Sequence, residues 1–268
     1  MDGAQSYLGN ADSLITIDIG AIAANWLYLD SLSPGTTETA AVVKADAYGL
    51  GAAMIAPPLA GIGCRSFFVM SLAEAVTLRT ALTDKGFRDA RIFALGGCHH
   101  GQEGDFTANG VTPVINSLPQ LDRWREWALE AKTRLPAALH IDTAMTRLGL
   151  DADEVAHLKD QLQIDGHWLD AVDLCSVMSH LSASEDPADP TNDRQLADFT
   201  DLAAAFAGVP LSLANSGGVL RGGGFHMALT RPGIALYGLH PAGHEAAREQ
   251  IDQAAKLQPA VTWQARIL

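Results

Sequence analysis

Lys44 follows the apolar run Ala40-Ala41-Val42-Val43, within AAVVKADAYGLGA (40–52), and is one of only five lysines in 268 residues. An ammonium at the end of a buried strand is costly unless it has a partner or has lost its proton. Freed of its proton, such a lysine is a nucleophile able to form a Schiff base with a carbonyl. The plainer reading is a lysine that reaches the rim or pairs with Asp46. ANSGG (214–218) and RPGIALYG (231–238) bring glycine-flanked backbone N–H groups and the hydroxyl of Ser216. These groups can cradle a phosphate, although ordinary turn chemistry explains them too. Arg147 and Arg231 could each grip a carboxylate or sit against a ring nitrogen, with surface ion pairing as the alternative. His180 closes VMSH and offers a stacking or hydrogen-bonding ring.

These residues need elements that bring them together. Eight short runs read as strands: 40–45, 66–71, 91–96, 111–116, 137–142, 173–180, 210–215 and 231–238. Most are near-continuously apolar, as parallel strands covered on both faces should be. Helical patterns lie between them. Residues 71–82 open with Ser71 and Glu74 at capping-box spacing, 116–132 carry Leu121, Trp124 and Ala128 on one face, and 192–208 end at Gly208 as a plausible cap. The alternation predicts an α/β fold, a (β/α)8 barrel of the TIM type, with 14–29 as an extra strand–helix unit before it.

In such a barrel the functional groups sit at the C-terminal strand ends. There the sequence places Lys44, Asp46 and Tyr48; His140, Asp142 and Arg147; Ser179 and His180; Asn215 and Ser216; Arg231 and Gly233. They describe a barrel enzyme with a Schiff-base lysine and an anion site, wording that also covers an aldolase. Beyond Gly238 the texture becomes a polar connector, and PAVTWQARIL (259–268) then alternates like an antiparallel strand.

With 48% apolar and 18% charged residues the chain can build a large core, and a net charge of −13 argues against nucleic acid or an anionic membrane surface as partner. Cys64, Cys98 and Cys175 are odd in number and lack CxxC spacing, which fits free thiols in a reducing cytoplasm. The first residues show no secretory signal pattern, and no stretch is long and apolar enough for a membrane helix. His99 and His100 are adjacent and read as loop residues rather than as a metal pair.

AVVKADAYGLGA resembles the cofactor-lysine motif of bacterial alanine racemases, barrel enzymes that use pyridoxal 5′-phosphate (PLP). HIDTAMTRLGL (140–150), MSHLSASED (178–186), ANSGG and TRPGIALYG (230–238) resemble four further motifs of that family, in the same order. The resemblance implies that Lys44 carries PLP as an imine and moves the α-proton on the D-alanine side. It implies that Tyr48, Asn215, Ser216 and the N–H groups of Gly233 and Ile234 bind the cofactor, the phosphate above all. It further implies that Arg231 faces the pyridine nitrogen with His180 beside it, and that Arg147 binds the substrate carboxylate. The implied activity is interconversion of L- and D-alanine for cell-wall precursors, in the cytoplasm, by a homodimer when full-length.

Three features depart from the family pattern. Many members have a carbamylated lysine where His140 stands, so Arg147 must be oriented in another way. Ala144 replaces a glycine in DTAM. The family's second catalytic base is a tyrosine of a C-terminal β domain supplied by the partner subunit, yet Tyr7, Tyr28, Tyr48 and Tyr237 are the only tyrosines here. The expected organisation is a PLP-binding barrel over 1–240 and, over 241–268, a connector with the first strand of a truncated β domain. Two other readings stay open: a PLP-binding barrel of cofactor homeostasis without racemase activity, and a racemase of another small amino acid such as serine.

Overall fold

The computed structural model describes residues 11–241 and 256–266. The described residues open with β1 (Ser13–Ile17) and α1 (Ile19–Ser31), capped by the Asp18 carboxylate, which accepts from the N–H of Ala21. Next come β2 (Glu38–Thr39), β3 (Ala41–Val42), a single turn α2 (Lys44–Gly49), α3 (Ala52–Gly61), β4 (Ser66–Val69) and α4 (Leu72–Asp84). Alternation continues through β5 (Arg91–Ala94), α5 (Glu103–Ala108), β6 (Val111–Ile115), α6 (Leu118–Ala131), β7 (Leu135–His140), α7 (Ala152–Ile164) and β8 (Val172–Met178). It ends with α8 (Thr191–Ala203), β9 (Leu211–Ser212), α9 (Ser216–Arg221) and β10 (Leu229–Thr230), and β11 (Val261–Ala265) stands apart.

Strands β3 to β9 form a parallel sheet in chain order, and β2 pairs in parallel with β10. Backbone bonds close the ring. The N–H groups of Ala40 and Val42 donate to Thr230 and Pro232, while those of Ala228 and Arg231 donate to Leu211 and Ala214. With β2 and β3 as one strand interrupted at Ala40, this is the expected eight-stranded barrel. Its strands are buried on both faces. Ala40, Val42, Phe68, Phe93, Val114, Ala138, Met178 and Leu229 fill the inside, where Phe68 and Phe93 stack at 4.6 Å. The larger core lies between the strands and the helices.

Several expectations need correction. The eighth strand is Leu229–Thr230, earlier than 231–238. Pro232 has no N–H for a ladder, and Ile234–Tyr237 curl into a 3₁₀ turn. The strand expected over 40–45 ends at Val42, so Lys44 opens a turn instead of ending a strand. α8 stops at Ala203 and passes through a 3₁₀ turn (Ala204–Phe206) before Gly208. The Ser71–Glu74 box forms only by half. Ser71 accepts from the N–H of Glu74 at 3.4 Å, but the Glu74 carboxylate turns to the N–H groups of Met70 and Ala45.

The antiparallel strand expected near the end is β11, and its partner is β1, with Ile15 opposite Trp263. Most of the expected connector falls outside the described residues. Among the described residues no helix is long and apolar enough to cross a membrane.

Candidate active site

Lys44 stands where β3 gives way to the mouth of the barrel. The four residues after it, Ala45 to Tyr48, have φ between 52° and 59°, so the turn is left-handed. Each such residue costs about 1–2 kcal/mol, and the turn persists because its surroundings hold it. Glu74 accepts from the N–H of Ala45 at 3.1 Å, and Asp46 accepts from the N–H of Ala52 at 2.8 Å. Asp46 is thus a cap for α3, not the partner of Lys44. Burial and the nearby Arg147 lower the pKa of Lys44, against a smaller opposing pull from Glu74. The turn also brings Tyr48 to the same mouth, its ring 5.1 Å from that of Tyr237.

Arg231, just past β10, is 4% exposed. It donates to the Ser212 hydroxyl and to the carbonyls of Ser179 and Leu213. None of the ion pairs among the described residues involves it. Burial lowers its pKa to about 9, so it stays cationic at neutral pH. A buried cation held by neutral oxygens leaves its positive field to whatever enters the mouth.

Two histidines flank that charge. His140 lies 2.8 Å from the Asn116 carbonyl oxygen through Nδ1. Asn116 spends its NH₂ on the carbonyls of Leu95 and Val114, so its oxygen accepts and His140 Nδ1 carries the hydrogen. Burial first, then Arg231 and Arg147, push His140 down to about 3. The same causes, with smaller ones from His140 and Lys44, push His180 down to about 3. Both rings are neutral at pH 7.

Arg147 is exposed and sits on the loop after β7. Asp142 organises that loop, its carboxylate accepting from the N–H groups of Ala144, Met145 and Thr146 at 2.9–3.2 Å. With histidine at position 140, the backbone that leads into Arg147 is braced by Asp142. The brace bends the backbone into the left-handed region at Ala144 (φ 100°) and Thr146 (φ 51°).

The segment nominated from the sequence for a phosphate is held by Ser216, whose hydroxyl accepts from the N–H groups of Gly233 and Ala235 at 2.9 and 3.2 Å. Asn215 caps α9 by accepting from the N–H of Gly218. Two glycines permit close approach. A Cβ on Gly233 would run into the Tyr48 hydroxyl, and one on Gly217 into the Ser184 carbonyl.

These groups line one cleft of about 750 Å³, within the range of small-molecule sites. Lys44, Tyr48, Arg147, His180, Asn215, Ser216, Arg231, Gly233 and Ile234, all nominated from the sequence, border it, together with His140. Asp46, Asp142 and Ser179 support the walls instead. The sequence reading missed Ser184, Glu185 and Gly217, and the apolar floor of Val42, Phe68, Leu95 and Met178. Gly217 lies inside ANSGG, and Ser184 and Glu185 lie inside MSHLSASED, motifs already singled out.

The chemistry of this cleft suits PLP: an amine of lowered pKa, a buried cation with no counter-ion among the described residues, polar N–H groups around a glycine cradle and an apolar floor for a ring. Comparison with known proteins agrees. Residues 17–241 match the family described as alanine racemase, N-terminal domain. A catabolic alanine racemase of Agrobacterium fabrum is 44% identical, covering 89% of this chain and 59% of that protein. The alanine racemase of Acidiphilium cryptum is 49% identical over 85% of this chain and 60% of its own length. The chain thus spans about six tenths of these relatives.

Among solved structures, the Bartonella henselae alanine racemase, crystallised with covalently bound pyridoxal phosphate, is 35% identical with a TM-score of 0.85. The match covers 96% of this chain and 70% of that one. The biosynthetic alanine racemase of Pseudomonas aeruginosa is 30% identical with a TM-score of 0.77, over 93% and 65% of the two chains. Ordered motifs, a closed barrel and one cleft that gathers them all lead to the same conclusion: this chain belongs to the alanine racemase family, as its N-terminal barrel domain.

Proposed function

We propose that this chain is the cofactor-carrying barrel of an alanine racemase that supplies D-alanine for cell-wall precursors, with PLP held through Lys44. The observation that carries this reading is the convergence of nine motif residues from five strand ends on one cleft around an amine of lowered pKa. Bound PLP supplies an electron sink that acidifies the Cα–H of an amino acid.

The chain's own groups do the rest. Lys44 Nζ, desolvated and with a larger neutral fraction than a surface lysine, is suited to form the cofactor linkage and to take or return the Cα proton. Arg147 offers a guanidinium fork to the substrate carboxylate. Tyr48, Ser216 and the N–H of Ile234 would hold the phosphate, with Gly233 keeping that corner open. Arg231 keeps its proton at neutral pH, so it would donate a hydrogen bond to the ring nitrogen without protonating it. That limits electron withdrawal and favours proton transfer over side reactions. Neutral His180 would hydrogen-bond beside it, adding no second charge.

Racemisation also needs a base on the opposite face. We assign it to sequence that the longer relatives carry beyond the matched region, contributed within a homodimer in the cytoplasm. We divide the chain into a barrel (1–240) and a segment that opens a β-rich unit (241–268). The β1–β11 ribbon lies outside the barrel sheet and joins the N-terminal end of the first part to the second.

The decisive experiment is the visible spectrum of the purified protein with PLP, before and after borohydride, beside Lys44→Ala, followed by α-proton exchange of alanine in deuterated water. A band that borohydride abolishes and the variant lacks, with exchange in the wild type, is expected. A chain that takes up no PLP would sink the reading.

A further inference from the structure

The inner face of α8 carries Asn192, Gln195, Phe199 and Ala203, all buried. Phe199 and Ala203 pack in the core, as an amphipathic helix requires, but the first two are amides lying under the mouth. Gln195 is 0% exposed and uses its full hydrogen-bonding capacity. Its oxygen accepts from the N–H and the hydroxyl of Ser182 at 2.8 and 3.0 Å. Its NH₂ donates to the His180 carbonyl at 3.0 Å and to the Thr143 hydroxyl at 3.2 Å. The Thr143 and Ser179 hydroxyls share a hydrogen bond at 2.7 Å, and Ser179 accepts from Arg231 through its carbonyl. One amide therefore ties the segment bearing His180, the root of the Arg147 loop and, through two hydroxyl-bearing residues, the buried arginine.

We propose that Gln195 is a positioning residue of the active site, fixing the His180 side and the Arg147 side of the cleft relative to each other. The reason is geometric. A primary amide alone supplies two donors and two acceptors in one plane, and here each of the four is matched to a different hydrogen-bonding requirement of the loops. A glutamate of the same shape loses the donors, so it would set one carboxylate oxygen against the His180 carbonyl while the other still accepts from Ser182, and would draw the Thr143 hydroxyl away from Ser179. The proposal rests on the reading of the cleft as a PLP site that binds alanine.

The test uses the full chain with PLP and measures three quantities: the PLP dissociation constant, the apparent dissociation constant for alanine from the visible spectrum, and Tm. Gln195→Glu should weaken both PLP and alanine by about tenfold, as expected when buried partners are left unmatched. Thr143→Val cuts the tie to the Arg147 loop and to Ser179 but leaves the His180 segment held, so it should weaken alanine by a similar factor and PLP by much less. Leu158→Ala, in the buried face of α7 away from the cleft, is the control for stability alone. It should lower Tm without moving either constant.

Wild-type constants in Gln195→Glu, or equal shifts in Leu158→Ala, would reduce Gln195 to a structural amide and overturn the proposal. Should Gln195→Glu fail to fold, Thr143→Val decides, and unchanged alanine binding there overturns it. A wild-type chain that binds PLP and alanine without exchanging the α-proton would fail the racemase reading while leaving this test intact. One that takes up no PLP removes both.

Discussion

The two arginines of the cleft are held in opposite ways. Arg231 lies in the barrel, wholly desolvated, its guanidinium fixed by three oxygens from β8 and β9 and the segments that follow them. Arg147 is exposed on a loop whose backbone is braced by one carboxylate and strained at two residues. The first suits a partner that never leaves and must be met in one geometry. The second suits a ligand that comes and goes, for which a side chain free to close costs little. In the proposed reading, scaffold rigidity is given to the cofactor and loop adaptability to the substrate.

The largest test of this contrast is Arg231→Lys. An ammonium cannot reach the Ser212 hydroxyl and the Ser179 and Leu213 carbonyls at once, and it sheds its proton more readily when buried. We expect a loss of about 2–4 kcal/mol in stability from unmatched buried acceptors, and a fall of about a hundredfold in turnover from misplacement. Chemical denaturation and steady-state kinetics of the full enzyme check both.

Next in size is the response to acid. The imidazoles of His140 and His180 titrate near 6.5 when unfolded and are pushed to about 3 when folded. Between those values the unfolded chain binds protons that the folded chain refuses. Stability is therefore full above pH 6.5 and declines as pH falls toward 3. At pH 5 the loss is about 2 kcal/mol for each histidine. His140→Asn should flatten the fall of Tm with pH, and a slope equal to the wild type would show that the barrel mouth does not exclude protons as described.

A smaller effect is expected of Arg147→Lys: stability within about 0.5 kcal/mol of wild type, because the residue is exposed, and a KM raised about tenfold as the fork is lost. A stability loss matching that of Arg231→Lys would erase the contrast. Smallest is Ala144→Gly. Its φ of 100° suits glycine alone, so the change should stabilise the chain by about 1 kcal/mol and raise Tm by a few degrees. A fall in Tm would mean that the strain is not there to relieve.

The barrel was legible because each strand is a short apolar run followed by a turn, a pattern that survives without tertiary information. Exceptions have local causes. The apolar letters of RPGIALYG look extended, yet Pro232 has no N–H to give a ladder, and strand pairing falls on Leu229–Thr230 instead. Glu74 fitted a capping box by spacing, but its carboxylate found better donors in Met70 and Ala45. Asp46 looked like the counter-ion of Lys44, since neighbours in sequence are the only candidates that a sequence shows. The left-handed turn then carried it away to α3.

By itself the sequence determined which groups stand at the strand ends, because side-chain chemistry and the order of motifs are local properties. It also determined the alternation of elements, since apolar periodicity reflects the burial each segment will meet. Only the tertiary structure decided that β2 meets β10, that β1 pairs with β11, and that Lys44 leads into four left-handed residues. Only there does Gln195, which reads as one more polar letter in a helix, become the knot between two loops. Such outcomes depend on hydrogen-bond partners far away along the chain, 52 residues in the case of Gln195 and Thr143. A backbone pays for strain, or buries an amide, only when partners brought by the whole fold satisfy it.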